Sequence, residues 1–272
     1  MIEESAVAVG GVEVFMRRVT GEGTPTVFVH GNPTHSEDWI PFLERVEGPA
    51  VALDLPGWGR SNRPHPDGFD GSMEGLAAFF ERFLDALEVA EHRLVVHDWG
   101  ALTLIGAQQH PERVRRIVLI NAVPLLPGYR WHWVARLWRR RGVGELVNAT
   151  ASRAGMALLL RQAGAGRGPM PPEFVDMIWR RFDRGTRQAI LELYRSAPGN
   201  RLAAAGSRLG ELRCPALVVW GVHDPYLPVE LGRRYAERLP DAELVELPDA
   251  GHWPWIERPD LIDRVVAFLR AG

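Results

Sequence analysis

The chain has 272 residues, enough for one large α/β domain or a domain with an insertion, and its 46% hydrophobic content excludes a disordered or fibrous protein. A formal net charge of −2 gives no general field for attracting nucleic acid or an anionic membrane, so we expect a small, neutral, hydrophobic substrate instead. All 32 basic side chains are arginine, which excludes a Schiff-base mechanism through a lysine amine.

The single cysteine and the first residues indicate the compartment. Cys214 is the only cysteine of the chain, so an intrachain disulfide is excluded. Residues 1–9 include two acids and no basic n-region, and no stretch of the sequence reaches about 18 uninterrupted apolar residues. We therefore expect a cytoplasmic protein that does not associate with membranes, as a monomer or a homodimer.

Short β-branched runs alternate with longer amphipathic stretches, a pattern that predicts an α/β fold with a mostly parallel sheet flanked by helices. The predicted strands are Val12–Arg18, Thr26–His30, Ala50–Asp54, Arg93–His97, Val114–Asn121, Ala216–Gly221 and Ala242–Leu247. Apolar residues at helical spacing predict helices over Ser72–Leu87, Val229–Leu239 and Leu261–Leu269.

The alternation of strands and helices stops after Ala122. From Val123 to about Leu212 no strand is evident, and prolines separate helical segments that are rich in tryptophan. This pattern predicts a helical cap over residues 123–212, inserted into a core domain formed by residues 1–122 and 213–272. A cap inserted there would cover the strand ends at which open α/β sheets bind their ligands.

Three polar residues follow three separate predicted strands. Asp98 lies in Val-Val-His-Asp-Trp-Gly, Asp224 in Gly-Val-His-Asp-Pro and His252 in Ala-Gly-His-Trp. Each motif alone is typical of a helix cap, a turn or a loop, but their joint placement indicates a catalytic set. With residues 30–33, His-Gly-Asn-Pro, this order resembles the α/β-hydrolase superfamily over essentially the whole chain.

The resemblance implies an α/β-hydrolase fold in which Asp98 is the nucleophile. A carboxylate can attack a saturated carbon and form an alkyl ester that water later hydrolyses, so epoxides and alkyl halides are the candidate substrates. The resemblance also implies that backbone N–H groups of Asn32 and Trp99 hold the other carboxylate oxygen, while His252, oriented by Asp224, activates the water. No nucleotide motif or metal-ligand spacing accompanies these residues, so we expect no cofactor and no metal.

A tyrosine in the insertion favours an epoxide. An opening epoxide generates a basic alkoxide that needs a proton donor, whereas a halide needs only hydrogen-bond donors. Tyr194 lies thirty residues before Asp224 in a Tyr-Arg context similar to that of the ring-activating tyrosine of epoxide hydrolases. We therefore predict an epoxide hydrolase that converts small hydrophobic epoxides into vicinal diols, with a substrate pocket lined by Tyr129, Trp131 and Trp133. As a second ring-activating tyrosine, Tyr129 matches the expected position poorly.

The alternative is a haloalkane dehalogenase. The sequence around Asp98 and residues 30–34, His-Gly-Asn-Pro-Thr, resemble that family, in which an asparagine and a tryptophan donate N–H groups to the halide. Asn32 and Trp99 could take these roles, and epoxide hydrolases more usually have a large apolar residue in place of Asn32. The commonest dehalogenase subgroup has a glutamate where Asn121 and Ala122 stand, so Asp224 would serve as the acid.

A third hypothesis is a non-catalytic receptor for a small molecule, because the α/β-hydrolase scaffold does not fix function. The complete set of nucleophile, acid and histidine argues against this hypothesis. Slow or absent turnover with tight retention of a small hydrophobic molecule would distinguish it.

Overall fold

The computed structural model describes residues 1–62 and 69–271, and eight strands of these residues form one sheet in the order β1-β2-β4-β3-β5-β6-β7-β8. The strands are β1 (Ile2–Val9), β2 (Val12–Val19), β3 (Thr26–Val29), β4 (Ala50–Leu53), β5 (His92–Asp98), β6 (Val114–Ala122), β7 (Ala216–Gly221) and β8 (Ala242–Leu247). β2 pairs antiparallel with β1 and β4, and all other pairs are parallel. The expected mostly parallel sheet is therefore confirmed.

The central strands are apolar on both faces because helices cover both sides of a parallel sheet. Every residue of β3 and β7 is buried, and β5 and β6 are buried over most of their length. β3 and β5 are parallel neighbours, with Val29 opposite Val96. The loops that follow these two strands therefore leave the same edge of the sheet side by side.

Twelve α-helices are found in the described residues. They are α1 (Ile40–Leu43), α2 (Met73–Ala86), α3 (Leu104–Ala107), α4 (Trp133–Arg139), α5 (Val143–Ala149), α6 (Arg153–Leu160), α7 (Pro172–Arg181), α8 (Arg184–Ser196), α9 (Gly199–Ala205), α10 (Val229–Arg238), α11 (Pro254–Glu257) and α12 (Asp260–Arg270). The three predicted helices correspond to α2, α10 and α12 within one residue at each end. No helix of residues 1–62 and 69–271 combines the length and apolar character needed to cross a membrane.

Helices α4 to α9 occupy the segment predicted as the cap. All of residues 123–212 are described, and they contain helices, turns and loops but no strand. Helix α8 is amphipathic. Its residues Ile190, Leu193 and Tyr194 recur at helical spacing and are buried, whereas Arg184 and Arg195 lie on the outer side. Asp183 begins this helix by accepting a hydrogen bond from the Thr186 N–H at 3.0 Å.

Strand β1 was not predicted from the sequence. It lies at the edge of the sheet and pairs only with β2. Most of its residues are exposed or half-buried, so it lacks the apolar run that identified the inner strands.

Candidate active site

The candidate nucleophile stands at a tight turn between β5 and the 3-10 helix Trp99–Thr103. Asp98 has φ 47° and ψ −117°, a conformation that non-glycine residues rarely adopt and that is concentrated at functional sites. Two glycines make the turn possible. A Cβ at Gly31 would lie 2.3 Å from the Cβ of Asp98, and a Cβ at Gly100 would lie 2.3 Å from the carbonyl oxygen of Val29.

Two backbone N–H groups lie at the Asp98 carboxylate. The N–H of Asn32 donates to Oδ2 at 2.8 Å, and the N–H of Trp99 lies close enough to favour the charged form of the carboxylate. The side chain is buried, and this burial raises the pKa of Asp98 to about 6, although His252 and the two N–H groups lower it. The turn therefore supplies an ionisable carboxylate with an oxyanion-binding pair already in place.

The histidine and its acid form a short, fully buried pair. Nδ1 of His252 lies 2.7 Å from Oδ2 of Asp224. The same oxygen accepts a hydrogen bond from Asn121 Nδ2 at 2.7 Å, and Oδ1 accepts from the backbone N–H groups of Tyr226 and Leu227. Asp224 is surrounded by N–H donors and therefore accepts a hydrogen bond from the Nδ1–H of His252, which leaves Nε2 as the basic nitrogen.

His252 and Asp98 line the same cavity. Burial by itself would lower the pKa of His252, but the charge and the hydrogen bond of Asp224 raise it, with the charges of Asp98 and Asp38 acting in the same direction. The result is a raised pKa. A base of this kind can deprotonate water near neutral pH.

Two side-chain N–H groups lie near the Tyr194 hydroxyl, which lines the same cavity as Asp98. The Asn32 amide accepts from Trp58 Nε1 through Oδ1 at 3.4 Å, which turns Nδ2 towards Tyr194, whose hydroxyl lies at 3.5 Å. Trp99 Nε1 is buried and, within the described part of the chain, has no hydrogen-bond partner of normal geometry. It also lies near the Tyr194 hydroxyl and lowers the pKa of that group.

Tyr194 reaches this place from the inserted helices. Its ring packs among those of Trp99, Trp131 and Trp138, with centroids 5.0–5.1 Å away. Burial first, and then the charge of Asp98, raise its pKa well above the ordinary value. Tyr194 is therefore a neutral phenol that can donate its proton.

The cavity is mainly apolar on the side of the inserted helices. It holds about 550 Å³ of space that protein atoms do not fill, including its open mouth. The apolar lining from the insertion consists of Trp131, Val134, Trp138, Met156, Leu159, Leu160 and Phe182. Such a lining suits a hydrophobic substrate, with polar contacts confined to the end near Asp98.

Two of the three predicted pocket residues do not line the cavity. Tyr129 packs its ring against Trp131, and its hydroxyl donates to the Tyr226 carbonyl oxygen at 3.3 Å, so it points away from the substrate space. Trp133 is 50% exposed and donates to Gln162 at the surface. It is the first residue of α4, whose inward face instead carries Val134, Ala135 and Trp138. Of the three residues predicted to line the pocket, Trp131 is the one that lines this cavity in the described residues.

Several site residues were not predicted from the sequence. The sequence identifies Asn121 only as a position at which a subgroup of dehalogenases has a catalytic glutamate. In the structure its amide donates to Asp224 and accepts from the Gly221 N–H. His132 lines the cavity, and burial lowers its pKa to about 4, so it is a neutral polar contact. The only signal for Asn121 was its place at the end of a predicted strand. In residues 1–62 and 69–271 no group of three His, Cys, Asp or Glu side chains could hold a metal ion.

Comparisons with known proteins find similar sequences and structures over most of the chain. The chain is 28% identical over 268 residues to the cis-3-alkyl-4-alkyloxetan-2-one decarboxylase of Shewanella oneidensis, covering 92% of this chain and 82% of that protein. It is 29% identical over 266 residues to the 2-hydroxy-6-oxo-2,4-heptadienoate hydrolase of Pseudomonas putida, covering 93% and 90%. The solved haloalkane dehalogenase of Bradyrhizobium elkani is similar, with a TM-score of 0.83, 26% identity and coverage of 100% and 99%.

A family model described as alpha/beta hydrolase fold matches residues 24–259. This range includes the three strand ends that carry Asp98, Asp224 and His252. The chain therefore belongs to the α/β-hydrolase fold family.

Proposed function

We propose that the protein is a hydrolase of the haloalkane dehalogenase type that acts on small, neutral, apolar alkyl halides. The observation that carries this proposal is the pair of side-chain N–H groups, Asn32 Nδ2 and Trp99 Nε1, near the Tyr194 hydroxyl in the cavity that contains Asp98. A departing halide needs such donors but no proton. The 26% identity to the Bradyrhizobium haloalkane dehalogenase adds support, and together these observations favour a halide over the epoxide first predicted.

The first step of the proposed reaction is alkylation of Asp98. A carboxylate oxygen attacks the carbon that bears the halogen, the new C–O bond forms, and the halide leaves with the electron pair of the broken bond. Asn32 Nδ2–H and Trp99 Nε1–H stabilise the halide. The apolar lining of the inserted helices holds the rest of the substrate and excludes water.

The second step hydrolyses the alkyl ester. His252 Nε2 takes a proton from a water molecule, and the hydroxide attacks the Asp98 carbonyl carbon. The oxyanion that forms is stabilised by the backbone N–H groups of Asn32 and Trp99, and the alcohol leaves with the proton from His252. Asp224, at 2.7 Å from Nδ1, stabilises the imidazolium.

Epoxide hydrolysis is the second candidate, because the Tyr194 hydroxyl lies beside the same donors, 3.5 Å from Asn32 Nδ2. A buried neutral phenol can protonate the alkoxide that an opening ring produces. The same group would serve other strained oxygen rings, including the oxetan-2-one named in the activity of the Shewanella relative.

A panel of three substrates tests the proposal. Purified protein is given 1,2-dibromoethane, styrene oxide and a cis-3,4-dialkyloxetan-2-one separately, and released bromide, diol and carbon dioxide are measured. We expect the wild type to release bromide from 1,2-dibromoethane and the Asp98→Asn variant to release none. Diol or carbon dioxide without bromide would replace the halide proposal with a ring-opening reaction. Failure with all three substrates would contradict both candidates and favour a receptor.

Two variants, each of which removes one side-chain amide, test whether Asn32 donates to the leaving group. Asn32→Val should lower bromide release roughly ten- to a hundredfold, since one donor to the developing charge is lost. Gln109→Leu removes an exposed amide far from the cavity lining and should leave the rate unchanged. Equal rates in the wild type and Asn32→Val would show that this amide does not hold the leaving group.

A further inference from the structure

A second buried carboxyl group, outside the set described above, acts on the candidate base. Asp38 lies on the 3-10 helix Ser36–Trp39 and is 4% exposed. Neither of its carboxylate oxygens has a hydrogen-bond partner of normal geometry among the residues that the structure describes. Burying a carboxylate without such partners costs several kcal/mol, so an apolar residue would stabilise the fold better here.

The surroundings of Asp38 connect it to His252. The Thr34 hydroxyl and the Trp253 indole N–H lie next to the carboxylate and favour its charged form, as does the charge of His252 itself. The Trp253 ring packs edge-on against the His252 ring, with centroids 4.5 Å apart. The side chain of Trp253 is therefore next to both Asp38 and the His252 imidazole.

The neighbouring aromatic residues fix this arrangement. Trp39, the residue after Asp38, stacks on Trp255 with ring centroids 5.5 Å apart and an interplanar angle of 26°. Trp255 belongs to α11, directly after the His252–Trp253 pair. The 3-10 helix and the segment that follows His252 are therefore packed against each other.

We propose that Asp38 is a positioning residue for His252, a second carboxylate whose negative charge stabilises the imidazolium that forms when water is deprotonated. The catalytic part of this inference rests on the proposed function. In the ester intermediate Asp98 carries no charge, so of the three carboxylates that act on His252 only Asp224 and Asp38 remain charged. Asp38 then matters more than it does in the free enzyme.

The charge of Asp38 is itself sensitive to pH. Burial raises its pKa to about 7, with Thr34, the charge of His252 and Trp253 opposing that rise and the neighbouring Glu37 adding to it. Above this pH Asp38 is ionised and raises the pKa of His252; below it, the proton removes that effect. The two groups therefore titrate as a coupled pair.

Titration of His252 followed by NMR tests the inference without any substrate. The ring signal is assigned by its loss in His252→Gln and followed in the wild type, in Asp38→Asn and in Glu37→Gln. We expect Asp38→Asn to lower the pKa of His252 by roughly half a unit or more, since a buried negative charge is lost. Glu37 is partly exposed and paired with Arg17 and Arg180, so its variant should cause a smaller shift.

An unchanged His252 pKa in a folded Asp38→Asn protein would overturn the inference, because a purely structural role would not move that titration. If Asp38→Asn does not fold, Thr34→Val provides a second variant. Loss of the Thr34 hydroxyl raises the pKa of Asp38, so the carboxyl stays neutral over a wider range and the pKa of His252 should again fall. An unmoved titration in that variant would count equally against the inference.

A kinetic measurement separates this inference from the proposed function. Rapid quenching and mass spectrometry with 1,2-dibromoethane give the rates of formation and loss of the alkyl ester. At pH 8, Asp38→Asn should slow loss of the ester several-fold and leave its formation unchanged. No ester in His252→Gln, which cannot hydrolyse it, would refute the proposed function, while the NMR titration would still decide the role of Asp38.

Discussion

The amide nitrogen of Asn32 lies 3.5 Å from the hydroxyl oxygen of Tyr194, although the two residues are 162 positions apart in the chain. Asn32 belongs to the loop after β3, and Tyr194 belongs to α8 of the inserted helices. A phenol can give up a proton to a leaving oxygen, whereas an amide only donates a hydrogen bond. The leaving-group site therefore offers two chemistries to one nucleophile, and the first prediction separates them.

Tyr194→Phe should act selectively. If an epoxide is opened, diol formation from styrene oxide should fall by about two to four orders of magnitude, since the general acid is lost. Bromide release from 1,2-dibromoethane should change less than about threefold, because Asn32 and Trp99 remain. Tyr129→Phe is the matched control and should leave both rates unchanged, since the Tyr129 hydroxyl bonds the Tyr226 carbonyl oxygen. An equal loss of both activities in Tyr194→Phe would contradict the assignment.

His252→Gln should stop the reaction after alkylation. Glutamine keeps the polar volume but cannot take a proton from water, so the ester on Asp98 should accumulate. Peptide mass spectrometry after incubation with 1,2-dibromoethane should show the bromoethyl group on the peptide that contains Asp98. The double variant with Asp98→Asn should show no such addition. Modification of any other residue would refute Asp98 as the nucleophile.

The rate of alkylation should depend on one ionisation near pH 6. Only the ionised carboxylate of Asp98 attacks carbon, and its burial raises its pKa to about 6. The pre-steady-state rate of bromide release should therefore be constant above this pH and fall about tenfold for each unit below it. If the rate instead falls only below about pH 4, the pKa of Asp98 is not raised by its burial at the turn.

Removing the buried charge should stabilise the fold. The pKa of Asp98 rises from 3.8 to about 6, so at pH 8 the charged carboxylate costs about 3 kcal/mol that Asp98→Asn recovers. The gain should be complete above pH 6 and vanish below pH 3.8, where the carboxyl group is protonated in both folded and unfolded chains. Urea unfolding at pH 8 and pH 3.5 measures the difference, with Asp241→Asn at an exposed position as the control. Destabilisation at pH 8 would be the contrary result.

The core of the site was predictable because parallel strands end at one edge of a sheet. A polar residue at or just after the end of each of three parallel strands, β5, β7 and β8, was enough to predict that Asp98, Asp224 and His252 form one group. For the inserted helices, the sequence gives no similar rule that predicts which side chains face the cavity. Whether Trp131 or Trp133 faces the cavity depends on where α4 begins, and a shift of one residue turns a side chain by about 100°.

Asp38 could not be predicted from its sequence context for a similar reason. Next to Glu37 and close to a helix start, an aspartate is typical of an exposed first turn. Its burial depends on the stacking of Trp39 on Trp255, a contact between segments more than 200 residues apart. Such packing is a property of the folded chain and has no local signature.

Gly31 and Gly100 leave no room for a side chain on either side of the attacking carboxylate. Redesign for bulkier or longer compounds would consequently have to be sought in the insertion, which contributes seven apolar side chains to the cavity. Mutational libraries confined to those seven positions should yield altered selectivity with the reaction preserved, whereas randomising either glycine should yield inactive protein.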